Sequence, residues 1–329
     1  MKKLVSIITA AVLALSAFAG CSGNTSSAQK EKSEAKLKVL TTIAPQYDWL
    51  KNITEGAKNV DVDMLLNNGI DLHSFQPSTE DIYQITSCDV FVYTGGESDK
   101  WVINALKNNT KVLAINLLDL LGDKAKEEEA AEGMQEEAHE KNVDEEHEEG
   151  PEYDEHVWLS VKNAEFLCEK ISEKLGEKDS ENKELYAKNT KEYIEKLKKL
   201  DAEYAEAVKE AKYDTLIFAD RFPFRYLTDD YNLKYYAAFS GCSAETEASF
   251  ETVKFLADKL TGLKLPAIMT IDGSDKKIAE TVRETSDNKT AEIYSLNSMQ
   301  SMRKSNVDKG DDYITALEYN LDVLKKALG

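Results

Sequence analysis

Cysteine is scarce: the 329-residue chain holds four, and none lies in a CxxC pair. That excludes a disulfide scaffold and a thiolate zinc ribbon. Beyond Cys21, only Cys88, Cys168 and Cys242 remain, enough for one bridge at most. Cys88 opens an apolar strand and Cys168 sits in a helical stretch, so both read as small core residues. Cys242 falls in a loop, where a structural role is expected. Positive charge is also in deficit, with 41 Lys+Arg against 61 Asp+Glu and a net charge of −20. Such a chain repels a polyanion, which excludes nucleic acid as partner and leaves cationic ligands or simple solubility. Beyond the N-terminus no apolar run approaches the ~20 residues that span a bilayer, so an integral channel or transporter is excluded. No G-x-G-x-x-G follows the first strand, no P-loop is present, and no Ser or Cys nucleophile has an obvious His partner. Gly95-Gly96 reads as a turn.

What is present begins with an address. Lys2 and Lys3 precede an apolar stretch from Leu4 to Phe18, and Ala19 and Gly20 lead into Cys21. A basic start, a short apolar core and a small-residue exit read as an export signal over 1–20. Phe18-Ala19-Gly20-Cys21 resembles the lipobox of bacterial lipoproteins, which implies lipidation of Cys21 and an anchor on the outer face of the cell membrane. An ordinary cleaved signal with an incidental Cys is the alternative. Residues 21–36 lack large apolar side chains and read as a flexible tether.

From Leu37 onward short apolar runs alternate with helical segments. Strands are expected at 37–42, 60–65, 88–95 and 111–117, and again at 214–220, 233–239, 267–272 and 291–296. Helices fall between them, which predicts an α/β fold: two Rossmann-like lobes with mostly parallel sheets, 37–177 and 213–329. Residues 178–212 join them. From 179 on this segment contains no Pro or Gly, and Tyr193, Leu197, Leu200, Tyr204 and Val208 make one apolar stripe, which predicts a long helix bridging both lobes. A coiled-coil dimer seam is the alternative. Residues 123–155 stand apart, with 16 Asp/Glu, three Lys, His139 and His147. That composition predicts a disordered acidic loop, either a weak collector of cations or a solubilising insertion.

Histidine is as rare as cysteine, with four in the chain. His73 lies in DLHSFQPSTED (71–81), beyond the second strand, where Ser78 and Asp81 fit a helix capping box. His156 lies in DEHVWLS (154–160), beyond the fourth strand and before the next helix. Open α/β sheets bind ligands at the carboxyl ends of their strands, so both imidazoles stand where a transition metal could be held in an inter-lobe cleft.

HSFQPSTED and EHVWLS resemble the two N-lobe metal motifs of bacterial zinc/manganese ABC-transporter solute-binding proteins, roughly HSFEPSPQD and DPHVWLDP. The resemblance covers most of the chain after the tether. It takes in YTGGESDKWV (93–102), ADRFPFRYLTDDYNL (219–233), GCSAETEAS (241–249, against GxSPEAEPS), KIAETV (277–282) and DKGDDYITALEYNLDVLKKAL (308–328), and it places the acidic loop where the family has a His-rich insertion. It implies that His73 and His156 ligate the metal and that the linking helix limits lobe closure.

Two family ligands are missing. The family supplies a His or Glu three residues before the Phe that Phe224 matches, and Arg221 stands there; a further Asp position holds Asn297. Arg cannot ligate, being permanently protonated. Asp220, Asp272 and Glu247 are the candidate replacements, and Arg221 is a candidate to orient a carboxylate ligand. The resemblance implies a monomeric lipoprotein, not an enzyme, that captures Zn2+, with Mn2+ the alternative, and hands it to an ABC permease and its ATPase. A surface adhesin with a decayed metal site is the competing function.

Overall fold

In a computed structural model of the chain, the described residues are 36–135, 152–243 and 247–329. The export signal 1–20, Cys21, the tether except Lys36, and His139 and His147 lie outside them.

The N-terminal lobe holds four parallel strands: β1 (Leu37–Thr41), β2 (Val60–Met64), β3 (Val90–Tyr93) and β4 (Leu113–Asn116), in the order β2-β1-β3-β4. β3 is an unbroken apolar run with Val90, Phe91 and Val92 fully buried, as expected of a parallel strand covered on both faces. Its helices are α1 (Ala44–Ile53), α2 (Thr79–Ser87), α3 (Lys100–Leu106), α4 (Leu117–Leu121) and α5 (Val161–Lys178). The α2 start is the expected capping box: Ser78 Oγ accepts from Asp81 N–H, and Asp81 Oδ2 accepts from Ser78 N–H at 2.8 Å.

After the linking helix α6 (Lys183–Glu210), the C-terminal lobe repeats the plan. Its strands are β5 (Thr215–Phe222), β6 (Lys234–Ser240), β7 (Ala267–Ile271) and β8 (Glu292–Leu296), in the order β6-β5-β7-β8. α7 (Arg225–Asp230), α8 (Phe250–Gly262), α9 (Lys277–Thr285), α10 (Lys304–Val307) and α11 (Tyr313–Leu328) complete it. The two parallel-sheet lobes match the expected architecture, and all eight expected strands form. The described residues belong to one compact unit, and one apolar cluster runs from the N-lobe sheet through α5 and α6 to the C-lobe sheet. Among the described residues no helix is long and apolar enough to cross a membrane.

Two expectations need correction. The linking helix does not run through 178–212: α6 begins at Lys183 and has 28 residues, about 42 Å. Neither Pro nor Gly makes the break. Asp179 Oδ2 instead accepts hydrogen bonds from Asn182 Nδ2 (2.7 Å) and Tyr186 Oη (2.6 Å), so polar side chains compete with the helix. From Tyr193 to Tyr204 the stripe is buried within the molecule, with Val208 half-buried, and it joins both lobes: Tyr193 Oη donates to Asp48 in α1 (2.8 Å), and Tyr204 Oη donates to the Leu317 carbonyl in α11 (2.6 Å).

The acidic loop is the second correction, since its two ends are ordered. Glu127 and Tyr153 form an antiparallel bridge, and Asp154 and Glu155 are buried. The N-terminal end docks on the C-lobe, with Gln135 N–H donating to Ala238 O (2.9 Å), Arg225 meeting Glu129 (2.9 Å) and Lys259 meeting Glu132 (3.0 Å). Cations on the second lobe thus balance carboxylates that composition alone assigns to solvent.

Candidate metal centre

The carboxyl ends of the strands in both lobes turn toward one another. The β2 end leads to a single 3-10 turn, Leu72–Ser74, whose entry Asp71 accepts the His73 N–H (3.0 Å). Leu72 is buried and anchors this turn, leaving the imidazole aimed inward. After β4 and the insertion, Asp154 Oδ1 accepts the His156 N–H (2.9 Å), and Trp158 two residues on is fully buried. The Trp158 indole N–H donates to Ser298 O (2.9 Å) and Tyr313 Oη donates to Trp158 O. The second lobe therefore grips the segment that carries His156.

The two rings meet, Nε2 to Nε2, at 3.1 Å. Each Nδ1 faces a buried carboxylate: His73 Nδ1 lies 3.0 Å from Glu155 Oε1 and 2.8 Å from Ser98 Oγ, and His156 Nδ1 lies 2.9 Å from Asp154 Oδ1. Ser98 also donates its backbone N–H (3.2 Å) and its hydroxyl to Glu155. Carboxylates at Nδ1 fix the tautomer with the lone pair on Nε2, the arrangement that orients metal-bound histidines. At 3.1 Å the two nitrogens are close enough to share one cation, a proton or a metal ion. Two nitrogens on one tetrahedral zinc, each bound at about 2.0–2.1 Å, stand roughly 3.3 Å apart, so the donors are already near that spacing.

Negative charge surrounds the pair. Burial alone would lower His156, but Asp154, Glu155 and Glu128 together hold it above the usual imidazole range. Burial would raise Glu155, yet its bonds to His73 and Ser98 and the nearby imidazoles leave it below the usual carboxylate range. Asp99 accepts the Thr94 and Gly95 N–H groups (2.8 and 3.1 Å); full burial and the charge of Glu155 push it up to about 7. Burial and Asp154 likewise raise Glu128, which accepts from the Ser240 side chain and the Cys242 backbone. A pocket with this many buried carboxylates is built for positive charge.

The C-lobe candidates do not join the imidazoles. Among the described residues, the one group of three or more His, Cys, Asp or Glu whose donor atoms all lie within 4.8 Å is His73, His156 and Cys242. Asp220 Oδ1 accepts the Arg221 N–H (2.9 Å) and Oδ2 faces Ile271 N–H (3.4 Å). Asp272 Oδ1 accepts the Ser298 N–H at 2.6 Å. Glu247 is exposed, and Asn297 Oδ1 accepts the Met299 N–H (2.9 Å). Arg221 lies 3.0 Å from Asp71 Oδ2; despite the opposing effect of burial, its charge holds Asp71 below the usual carboxylate range. Arg221 thus reaches from β5 to the carboxylate that positions the His73 turn.

Sequence reasoning overlooked Cys242, Gln300, Asp154 and Glu155 as parts of the centre. Burial and the carboxylates Glu155, Glu128 and Asp154 push the Cys242 thiol up. Gln300, 2% exposed, has its amide nitrogen 2.8 Å from His73 Nε2. Asp154 and Glu155 directly precede His156 in DEHVWLS, and Cys242 follows the end of β6 by two residues. Position at a strand end was the available signal for Cys242; Gln300 had none.

Comparison with known proteins bears on this geometry. The chain is 31% identical over 332 residues to the zinc-binding lipoprotein AdcA of Streptococcus pneumoniae (strain R6), an alignment covering 99% of this chain and 61% of AdcA. This chain therefore spans about three fifths of that relative. It is also 31% identical over 315 residues to the high-affinity zinc uptake system protein ZnuA of Bacillus subtilis (strain 168), covering 94% and 93% of the two chains. The crystal structure of the Zn(II)-bound ZnuA-like domain of AdcA superposes with a TM-score of 0.69 at 28% identity, covering 89% of this chain and 99% of that one. A laminin-binding adhesin of Streptococcus agalactiae gives a TM-score of 0.71 at 25% identity, covering 89% and 100%. Residues 39–327 match the family model described as the periplasmic component A of the zinc-uptake complex, and the chain belongs to that family.

Proposed function

We propose that this protein is the extracytoplasmic solute-binding lipoprotein of a zinc ABC importer, capturing Zn2+ between its lobes and delivering it to a permease driven by an ATPase. The observation that carries the reading is the pair of imidazole nitrogens 3.1 Å apart, each backed by a buried carboxylate. His73 and His156 bind through Nε2, while Glu155 and Asp154 hold the rings and offset the incoming charge. Asp220 and Asp272 stay outside the ligand set because their oxygens do not group with the imidazole nitrogens, and Arg221 acts through Asp71. Imidazole donors suit zinc better than manganese, and the named relatives are zinc proteins. Ion capture and release leave the cargo chemically unchanged, so the role is not enzymatic. The anchor at Cys21 rests on the lipobox resemblance and on the lipoprotein name of AdcA.

Equilibrium dialysis with zinc and with manganese, on wild type and the His73→Ala/His156→Ala double variant, tests this. One tightly held zinc per chain, lost in the double variant, is the expected result. Absence of stoichiometric metal in the wild type contradicts it. The likeness to a laminin-binding adhesin would then favour attachment to a surface partner.

A further inference from the structure

Two imidazoles leave half of a tetrahedral zinc shell to be filled, and the expected C-lobe carboxylates do not fill it. A different donor stands on that side. Cys242 Sγ lies within 4.8 Å of a ring nitrogen of His73 and of a ring nitrogen of His156, as a free thiol rather than half of a bridge. Its turn is held against the site. A Cβ on Gly241 would lie 2.6 Å from His156 Cε1 and 3.1 Å from Phe222 O, so only glycine lets this loop come so close. The Cys242 backbone bonds to Glu128 and its thiol faces Glu155 Oε1 at 3.5 Å.

A second observation points to a ligand at the same place. Gln300 Oε1 is buried with no hydrogen-bond partner, and it is one carbon removed from the amide nitrogen that touches His73 Nε2 at 2.8 Å. A buried acceptor left unpaired costs stability, so its presence beside three donors marks a position where a cation belongs.

We propose that Cys242 is the third metal ligand, giving a His2Cys donor set that selects a thiophilic divalent ion, zinc over manganese. The inference rests on the solute-binding reading and specifies its ligand chemistry. The metal–sulfur bond forms as the S–H bond breaks, and the Glu155 carboxylate, 3.5 Å from the thiol, takes the proton. A bound cation deprotonates a coordinating thiol whatever its unliganded acidity.

Cobalt substitution in the full chain tests it, read together with zinc and manganese affinities from chelator competition. Wild type loaded with Co2+ is expected to show tetrahedral visible bands and a near-ultraviolet thiolate-to-cobalt charge-transfer band. Cys242→Ser is expected to keep the visible bands, lose the charge-transfer band, and bind zinc at least the roughly 10–100-fold more weakly that loss of even an outer partner brings. Its preference for zinc over manganese should narrow. Zinc-edge X-ray absorption of the wild type, which needs no variant to fold, should show one sulfur neighbour at about 2.3 Å. Visible cobalt bands without a charge-transfer band, or no sulfur neighbour, overturn the thiolate assignment while leaving metal capture intact. No metal bound by the wild type overturns metal capture itself, and the thiolate assignment with it.

Discussion

The two lobes meet the candidate site with opposite economies of side chain. On the N-lobe side each imidazole has a dedicated buried carboxylate, Glu155 for His73 and Asp154 for His156. On the C-lobe side Asp220 and Asp272 hold backbone, and Arg221 holds Asp71. The sheets share one strand order, so topology does not account for the difference. What differs is what the carboxylates reach besides backbone: Asp154 and Glu155 accept backbone N–H groups and also meet an imidazole Nδ1, whereas Asp220 and Asp272 meet backbone N–H groups. A site can therefore be half prepared by orientation and half by whatever donor the second lobe leaves available.

The same asymmetry runs along α6 and gives the largest expected effect. Its N-lobe end is tied through Asp48, its C-lobe end through the Leu317 carbonyl, which does not titrate. Burial, against the opposing hydrogen bond from Tyr193, raises Asp48 to about 6. A carboxyl raised in the folded state binds more protons folded than unfolded. Its contribution is present below the unfolded value near 3.8 and is lost as pH rises through about 6. Unfolding free energy should fall by about 3 kcal/mol across that window, and Asp48→Asn should flatten this part of the profile in denaturant titrations at stepped pH.

The next effect sharpens the comparison between lobes. Asp154→Ala removes the carboxylate behind His156 and should weaken zinc binding by about 10–100-fold in chelator competition. Asp220→Asn, its C-lobe counterpart, should leave affinity within experimental scatter. Equal losses in the two variants would erase the distinction between the lobes. Smaller still is Gly241→Ala. The added methyl crowds His156, and overpacking of a loop able to shift should lower stability by about 1 kcal/mol and zinc affinity with it.

Much of this was legible in the sequence, and the physical reason is locality. Strands such as CDVFVYTG show as short apolar runs, the α6 stripe carries its own periodicity, and His73 and His156 sit at strand ends that these local patterns locate. The break at Asp179 escaped because it comes from side chains capturing a turn rather than from Pro or Gly. The buried carboxylates Asp154 and Glu155, and the half-buried Glu128, escaped because composition averages over the acidic loop and hides its ordered ends. Gln300 reaches His73 across 227 residues of sequence, a contact set by how the lobes pack and by no local pattern. Cys242 looked like an isolated loop cysteine because what gives it meaning, the imidazole pressed against Gly241, comes from the other lobe.

Diffraction from zinc-loaded crystals on both sides of the zinc absorption edge is the most direct test of shared coordination by His73 and His156. A single anomalous peak about 2.0–2.1 Å from both Nε2 atoms is the predicted result. A peak bound to only one of the rings, or a zinc site elsewhere on the molecule, would contradict it.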